Sequence, residues 1–381
     1  AGVGLSDTST SARASAVGID GGRGEDRIVN EGEIKLGLDS GFGSVVDADA
    51  VSVTVTVAGA SQGLAGAAAL SKSGAAGAAQ TTGIYGGEGS DEIRNAGKID
   101  VGAKAEVDST NVAVGVTVAK EGLAGGAALS DSSAVATASA RGIDGAEGDD
   151  RIVNTGEIKS RAESRADTVS VTATIAGAKT GLAGGAALSD ASALATSAAR
   201  GIEGAAGADR IFNESLVDTK AEAYADTTNV TVTIAGAATG LAGGAALSDT
   251  RSASVADAAG LSGGEGSDRI SNKGNLVSGA LADADATGVT ATLTVAKEGL
   301  AAGAALSDTS SSAVSSSRGI DGGSGDDRID NGARVESKAE AYADTVSVTA
   351  TISGTKTGVA GGASLSASSA QEIATPRGIE G

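Results

Sequence analysis

The sequence predicts an all-β fold, a repetitive parallel β-solenoid (β-helix) with a thin interior lined by Ala, Val and Ser. Three observations predict it: a repeat of fixed length, an alternation of inward and outward residues within each unit, and a composition rich in small residues. A Gly-Ile or Gly-Leu pair recurs at positions 18, 83, 142, 201, 260, 319 and 378, so the spacings are 65 and then 59 residues. A fixed period of this size is typical of a stacked array.

The repeat organises the whole chain into one continuous array. A second anchor, Gly-Leu-Ala or Gly-Val-Ala from Gly63 onward, keeps a spacing of 59 throughout and places the six extra residues of the first interval near 36–46. The predicted units are 1–17 (partial), 18–82, 83–141, 142–200, 201–259, 260–318, 319–377 and 378–381 (the start of the next). We expect a window on a longer array and no enzyme, because no part of the chain outside the repeat could hold a unique active site.

The composition limits both the side chains that can fill the interior and the classes of partner that the chain can bind. Hydrophobic residues are 40% of the chain but mostly Ala and Val, with 60 Gly, two Phe, three Tyr and no Trp or Met, so only closely approaching backbones could pack densely. The net charge of −20 disfavours nucleic acid and favours cations. Absence of His and Cys leaves oxygen ligands, which suit Ca²⁺ or Mg²⁺ rather than Zn²⁺. No apolar run approaches the roughly 18 residues of a membrane span.

Within a unit, residues alternate with a period of two. From Ile158 to Asp167, apolar or small residues lie on one face and charged residues on the other, which predicts a strand. We then expect a phase slip near Thr168, after which Val169, Val171, Ala173 and Ile175 point inward and Ser170, Thr172 and Thr174 outward. Gly177–Gly181 reads as a turn. The segment Leu182–Ala199 is predicted as one or two further strands, with a short helix as the alternative on propensity.

A Gly-rich acidic turn opens each unit. Six copies read Gly-[Gly/Ala]-x-Gly-x-Asp-[Arg/Glu]-Ile, as in Gly145–Ile152. This resembles the RTX nonapeptide, G-G-x-G-x-D-x-U-x, whose turns hold Ca²⁺ between neighbouring coils. The resemblance implies a right-handed solenoid, an extracellular or cell-surface location and Ca²⁺ as a cofactor. It implies these metal-binding residues: Asp26, Asp91, Asp150, Asp209, Asp268, Asp327, Gly24, Gly89, Gly148, Gly207, Gly266 and Gly325.

The resemblance is incomplete, because each unit has a single motif where RTX motifs run in tandem. Shared calcium sites require that a whole unit forms one large coil, so that Asp91, Asp150 and Asp209 stack roughly 4.7–4.9 Å apart. With about three coils per unit they would lie roughly 14 Å apart. The alternative interpretation is a tight turn whose Asp caps its own backbone.

Two further columns bear on the number of coils. A recurrent Asn lies two residues after an inward Ile and favours a ladder of stacked amides, since an unpaired buried amide is costly. The members are Asn30, Asn95, Asn154, Asn213, Asn272 and Asn331. The outer column of Asp49, Asp108, Asp167, Asp226, Asp285 and Asp344 opposes close stacking, because like charges on neighbouring strands repel. On balance we expect one unit per coil.

These features predict a structural repeat segment of an extracellular fibre or cell-surface stalk, stabilised by Ca²⁺. The alternatives are an adhesin binding module or a self-assembling matrix filament without calcium. A remote alternative is an ice-binding array formed by outer Thr columns such as Thr172 and Thr174. The expected partners are divalent cations and neighbouring repeats or further copies of the same chain.

Overall fold

Each 59-residue unit forms one coil of a parallel β-solenoid. The computed structural model describes residues 1–37 and 41–381, and within them every regular element is a β-strand, which confirms the predicted fold class. The strands are β1 (Gly2–Asp20), β2 (Arg27–Asn30), β3 (Ile34–Leu36), β4 (Ser44–Glu88), β5 (Glu92–Asn95), β6 (Ile99–Glu147), β7 (Arg151–Asn154), β8 (Ile158–Ala206), β9 (Arg210–Asn213), β10 (Val217–Glu265), β11 (Arg269–Asn272), β12 (Leu276–Ser324), β13 (Arg328–Asn331) and β14 (Val335–Glu380).

The strands form two parallel sheets that run along the solenoid axis. The long strands pair in the order β1-β4-β6-β8-β10-β12-β14, with β3 beside β6, and the short strands pair as β13-β11-β9-β7-β5-β2. From β4 onward, equivalent residues pair with a constant offset of 59, as in Ile99 with Ile158. Of the two coil arrangements considered, the molecule therefore has one unit per coil, and equivalent side chains stack in columns along the axis.

Each long strand from β4 onward folds back on itself to form a β-arch with two facing arms, and β1 corresponds to a second arm alone. In β8 the first arm runs from Ile158 to Ala178, and the second arm begins at Leu182. The bend lies at Gly181, whose φ of 124° belongs to the left-handed region that favours glycine. Hydroxyl groups join the arms: Thr174 Oγ1 donates to the Ala186 carbonyl at 2.8 Å, and Thr168 Oγ1 donates to the Ser192 carbonyl at 2.9 Å.

The predicted phase slip near Thr168 is wrong. Alternation continues unbroken from Ile158 to Ala178, so Ser170, Thr172 and Thr174 are buried, while Val169, Val171, Ala173 and Ile175 face outward. The interior of the arms is accordingly lined by Ala, Ser and Thr, and the predicted Val lining is wrong for most of their length. The physical reason is that backbone carbonyls of the facing arm accept hydrogen bonds from the inward hydroxyls, so that burial of these hydroxyls costs little free energy.

The second arm is a strand throughout, so the helical alternative for Leu182–Ala199 is wrong. Each residue of this segment pairs with its equivalent in the next coil, beginning with Leu182 and Leu241. The register changes from an offset of 65 at Leu36 to 59 at Ser44, within the region assigned to the six extra residues. Residues 38–40 of that region lie outside the described residues.

The hydrophobic core is divided between the two arms and a corner. Between the arms lie small side chains, mainly Ala such as Ala136, Ala166 and Ala195. At the corner, where the short strand meets the ends of both arms, three columns of Ile, Leu and Val form a separate cluster; Ile143, Ile152 and Ile158 belong to it and are fully buried. The Gly-rich turns border this corner.

Candidate functional site

The recurrent asparagines form a continuous ladder beside the isoleucine corner. Asn95 Nδ2 donates to Asn154 Oδ1 of the next coil at 2.7 Å and also to the carbonyl of Gly97 at 2.9 Å. The same pair of bonds recurs along the column from Asn30 to Asn331. The predicted inward Asn columns therefore satisfy both amide protons and bind each coil to the next.

The aspartates of the Gly-rich turn form a second ladder, of a different kind. The backbone N–H of Asp91 donates to Oδ1 of Asp150 at 2.8 Å, and the N–H of Asp150 donates to Oδ1 of Asp209 at the same distance. The bond repeats in each pair along the series Asp26, Asp91, Asp150, Asp209, Asp268 and Asp327. The carboxylate thus caps the backbone of the adjacent coil, whereas sequence considerations proposed a cap on its own turn or a metal ligand.

The second oxygen of each turn carboxylate is buried without a partner. Oδ2 of Asp150 has no hydrogen-bond donor, and the side chain is 1% exposed. It faces the first glycine of its own motif, since a Cβ on Gly145 would lie 2.5 Å from this oxygen. Burial is the main cause that raises the pKa of Asp150 to about 7 and that of Asp209 to about 6. The invariant spacing of Gly145 and Asp150 in the motif was the sequence feature that could have revealed this contact.

The glycines predicted to bind metal shape the turn and continue the backbone ladder. Gly148 has a φ of 136°, and a Cβ there would lie 2.1 Å from the carbonyl oxygen of Gly89 in the preceding coil. Its N–H donates to the carbonyl of Ala206 in the following coil at 2.8 Å. Positive φ recurs at Gly24, Gly89, Gly207, Gly266 and Gly325. This column therefore needs glycine for close stacking of the turns.

The oxygen atoms of this turn do not fit a shared calcium ion. In each of the stacked pairs, Oδ1 of the Asp accepts a backbone N–H, Oδ2 packs against glycine, and carbonyls such as those of Glu147 and Asp91 accept ladder hydrogen bonds. A calcium ion takes six to eight oxygen ligands, whereas the carbonyls and Oδ1 atoms named above accept hydrogen bonds of the ladders and each Oδ2 packs against glycine. Over residues 1–37 and 41–381, no group of three or more acidic side chains is arranged to hold a metal.

The outer aspartate column stacks in direct register, as in Asp108 with Asp167 and Asp226 with Asp285. Arg165 relieves part of the repulsion by binding Asp167 at 2.8 Å and Asp226 at 3.2 Å. Partial burial and then the charge of Asp167 are the leading causes that raise the pKa of Asp226 to about 6. The repulsion between like charges that the sequence predicted at this column is therefore present.

The predicted outer Thr columns are absent. Thr172, Thr174 and their equivalents in the other coils that have neighbours on both sides are buried, so these two columns form no hydroxyl array on the surface of the described residues and the ice-binding alternative built on them is wrong. The outer side of the second arm instead has shallow apolar grooves along the axis. One groove of about 770 Å³ has a floor of Gly125, Ala127 and equivalent residues, and another of about 790 Å³ follows the Leu129 and Asp131 columns.

No family model, curated protein or solved structure matches the chain. No helix among the described residues is long and apolar enough to cross a membrane. The function is therefore inferred from the arrangement of the coils.

Proposed function

We propose that this chain is a structural repeat segment of an extracellular fibre or cell-surface stalk. The observation that carries the proposal is the constant pairing of every coil with the next, residue by residue, from β4 to β14. Because each described coil presents the same columns as its neighbours, an array of this kind extends without a new interface. Stability then grows as a sum of nearest-neighbour terms.

The ladders supply stiffness along the axis. Backbone hydrogen bonds join adjacent coils along both arms, and the Asn and Asp ladders add side-chain bonds at the corner. Each coil is roughly 70 Å across, if an arm of about 21 residues rises 3.3 Å per residue, and six coils extend about 29 Å along the axis. Length is therefore obtained by adding units, which suits a segment of a long spacer.

The extracellular location rests on the resemblance of the Gly-rich turn to repeats of large surface proteins. The high negative charge supports it by keeping a long filament soluble. Immunolabelling of intact and permeabilised cells of the source organism tests this part. Signal on intact cells is expected, and signal that appears only after permeabilisation contradicts the location without affecting the spacer role.

Axial length against repeat number tests the spacer role. The chain with six units and a ten-unit array, made by duplicating the four units of residues 83–318 in register, are imaged by electron microscopy. We expect a rise of about 4.7–4.9 Å per added unit. A compact particle whose length does not grow with repeat number would contradict the proposal.

Calcium remains a prediction of the turn motif, and the spacer role does not depend on it. Thermal unfolding of the full chain is compared in millimolar Ca²⁺, in Mg²⁺ and in EDTA. The carboxylate ladder predicts the same melting temperature in all three. A Ca²⁺-specific increase that Asp150→Asn and Asp209→Asn abolish would show that the turns rearrange to bind the ion.

A further inference from the structure

The outward side of the first arm is an exposed apolar sheet, which we call the first-arm face. It consists of four outward columns headed by Val51, Val53, Val55 and Val57 in the first coil, with their paired residues in the next five coils. Apart from Thr110, Thr228 and Thr287, every member is Val, Ile, Leu or Ala. In coils with neighbours on both sides, exposure is 40% at Ile175 and 37% at Ile234. A large exposed apolar patch of this kind marks an interaction surface.

Opposite charges border the two sides of this face. The Asp column that contains Asp108 and Asp167 lies on one side. On the other side, at the arch, four coils expose a lysine: Lys120, Lys179, Lys297 and Lys356. Among the described residues these lysines make no salt bridge, and Arg165 is the one basic residue bound to the Asp column. Both borders therefore have charge available for a partner.

The two borders are equidistant from the middle of the face. In the second coil, Asp108 lies six residues before Val114, and Lys120 lies six residues after it. All three residues belong to the same outward set of alternating positions. A two-fold axis along the column of Val55, Val114 and Ala173 would therefore bring the Asp border of one molecule opposite the Lys border of another.

We propose that the first-arm face binds the first-arm face of a second copy of this chain, with the two solenoids parallel and side by side. The two-fold axis runs along the solenoid axis, and Ala173 of each molecule lies close to it. An antiparallel pair has its two-fold axis along the strands and places Asp opposite Asp and Lys opposite Lys. Like charges opposed in this way are unfavourable, so the charge pattern selects the parallel pair.

The dimensions of the face suit a stable dimer. The four columns span seven residues, which at 3.3 Å per residue and 4.8 Å per coil give roughly 670 Å² per partner over six coils. The charged borders on either side bring the area to at least the ~800 Å² per partner of a standard interface. The pitch of the partner is the same, so rows of side chains match along the whole length. A second copy is therefore the occupant that the size, the period and the charges of the face together fit.

Lateral pairing goes beyond the proposed spacer role and is independent of cellular location. A monomeric array with the expected axial rise would disprove the pairing and leave the spacer role intact. Conversely, dimers of compact particles would support pairing and contradict the spacer role.

Sedimentation velocity of the full chain over a concentration series tests the pairing. The test variant is Val171→Lys with Val230→Lys, at two adjacent outward positions of the first-arm face. The control is Thr137→Lys with Thr196→Lys, two adjacent outward positions of the second arm. We expect a dimer for the wild type and the control, and at least 100-fold weaker dimerisation for the test variant, with circular dichroism unchanged.

The orientation is tested with Val55→Cys in the first coil, the single cysteine in such a chain. Stacked sheets lie about 10 Å apart, so a bis-maleimide of similar span joins residues opposite one another. Parallel pairing predicts covalent homodimers of this variant. Antiparallel pairing separates the two cysteines by five coils, roughly 24 Å along the axis, and predicts cross-links only when Val55→Cys is mixed with Ala350→Cys of the sixth coil.

Three results would overturn the proposal. The first is a wild type that stays monomeric, or that binds lipid vesicles through this face. The second is a dimer that Val171→Lys with Val230→Lys does not weaken, as expected for association through the terminal coils. The third is cross-linking in the antiparallel pattern.

Discussion

The corner and the arms of each coil are filled by side chains of different size and polarity. At the corner three strands surround a space that large Ile side chains fill, as Ile143, Ile152 and Ile158 do. Between the arms two parts of the long-strand sheet face each other, and Ala, Ser and Thr fill the narrow gap. The polar groups differ too, because corner Asn side chains bond along the axis and arm hydroxyls bond across the gap.

The contrast shows that side-chain polarity alone does not decide which residues of this solenoid are buried. In the arms the backbones are close enough for Thr Oγ1 to reach the facing carbonyl, as in Thr233 with Ala245 at 2.8 Å. A buried hydroxyl with such a partner costs little. The apolar β-branched residues of the same strand are then left outside, where they form the first-arm face.

A cavity at the corner should lower the free energy of unfolding by a large amount. Ile152→Ala removes a fully buried side chain from the three-column cluster, and we expect a loss of about 2–5 kcal/mol in the free energy of unfolding. Ile175→Ala is the matched control, because Ile175 is 40% exposed on the first-arm face. Urea unfolding of dilute protein measures both. Equal losses would mean that the corner is not the main apolar core.

The next effect compares interior asparagines of the two regions. Asn154→Ala leaves one of the two N–H groups of Asn95 Nδ2 without its acceptor and removes the amide donor to Asn213 Oδ1 and the Gly156 carbonyl. We expect a loss of about 2–4 kcal/mol, since an unsatisfied buried group costs about 1–3 kcal/mol. Asn229→Ala in the arm should cost less, because Asn229 Oδ1 already lacks a partner. Chemical denaturation ranks the two variants, and a costlier Asn229→Ala would contradict the importance of the ladder.

Two buried threonines of one arm should respond with opposite signs. Thr231 Oγ1 has no partner, whereas Thr233 Oγ1 donates to the Ala245 carbonyl, and both side chains are 0% exposed. Replacing an unpartnered buried hydroxyl by a methyl group is favourable, so Thr231→Val should stabilise by about 1 kcal/mol and Thr233→Val should destabilise by about the same amount. Differential scanning calorimetry detects both shifts. Destabilisation by both substitutions would show that Thr231 has a partner in solution.

A pH dependence is expected at the corner. Burial raises the pKa of Asp150 to about 7 and that of Asp209 to about 6, so the folded array binds these protons more tightly than the unfolded chain. Their contribution to stability is complete below pH about 4 and is lost as the pH rises through 6 to 7. The urea midpoint should therefore be higher at pH 5 than at pH 8.

Asp209→Asn provides the control for this pH dependence. The amide oxygen still accepts the N–H of Asp150, and the neutral side chain removes one titrating group. The difference between the midpoints at pH 5 and pH 8 should shrink in this variant. An unchanged difference would assign the effect to the surface carboxylates instead.

The sequence predicted that one unit forms one coil, but it did not predict which side chains lie inside the arms. The 59-residue spacing and the inward Ile and Asn positions predicted the stacked corner, because invariant Gly and Asn columns require neighbours at a fixed place. The phase slip at Thr168 was wrong because hydrophobic patterning assumes that Val is inside and Thr outside. The role of Asp150 was missed because its partner, the N–H of Asp91, lies 59 residues away in sequence.

The constant register between coils also has a genetic consequence. Since each coil offers its successor the same contacts that it receives from its predecessor, unequal recombination between repeats can delete or duplicate a whole unit without creating a foreign junction. The change in register between Leu36 and Ser44 shows that extra residues are accommodated where an arm begins. The number of units can therefore change over generations while the local structure of every coil is preserved.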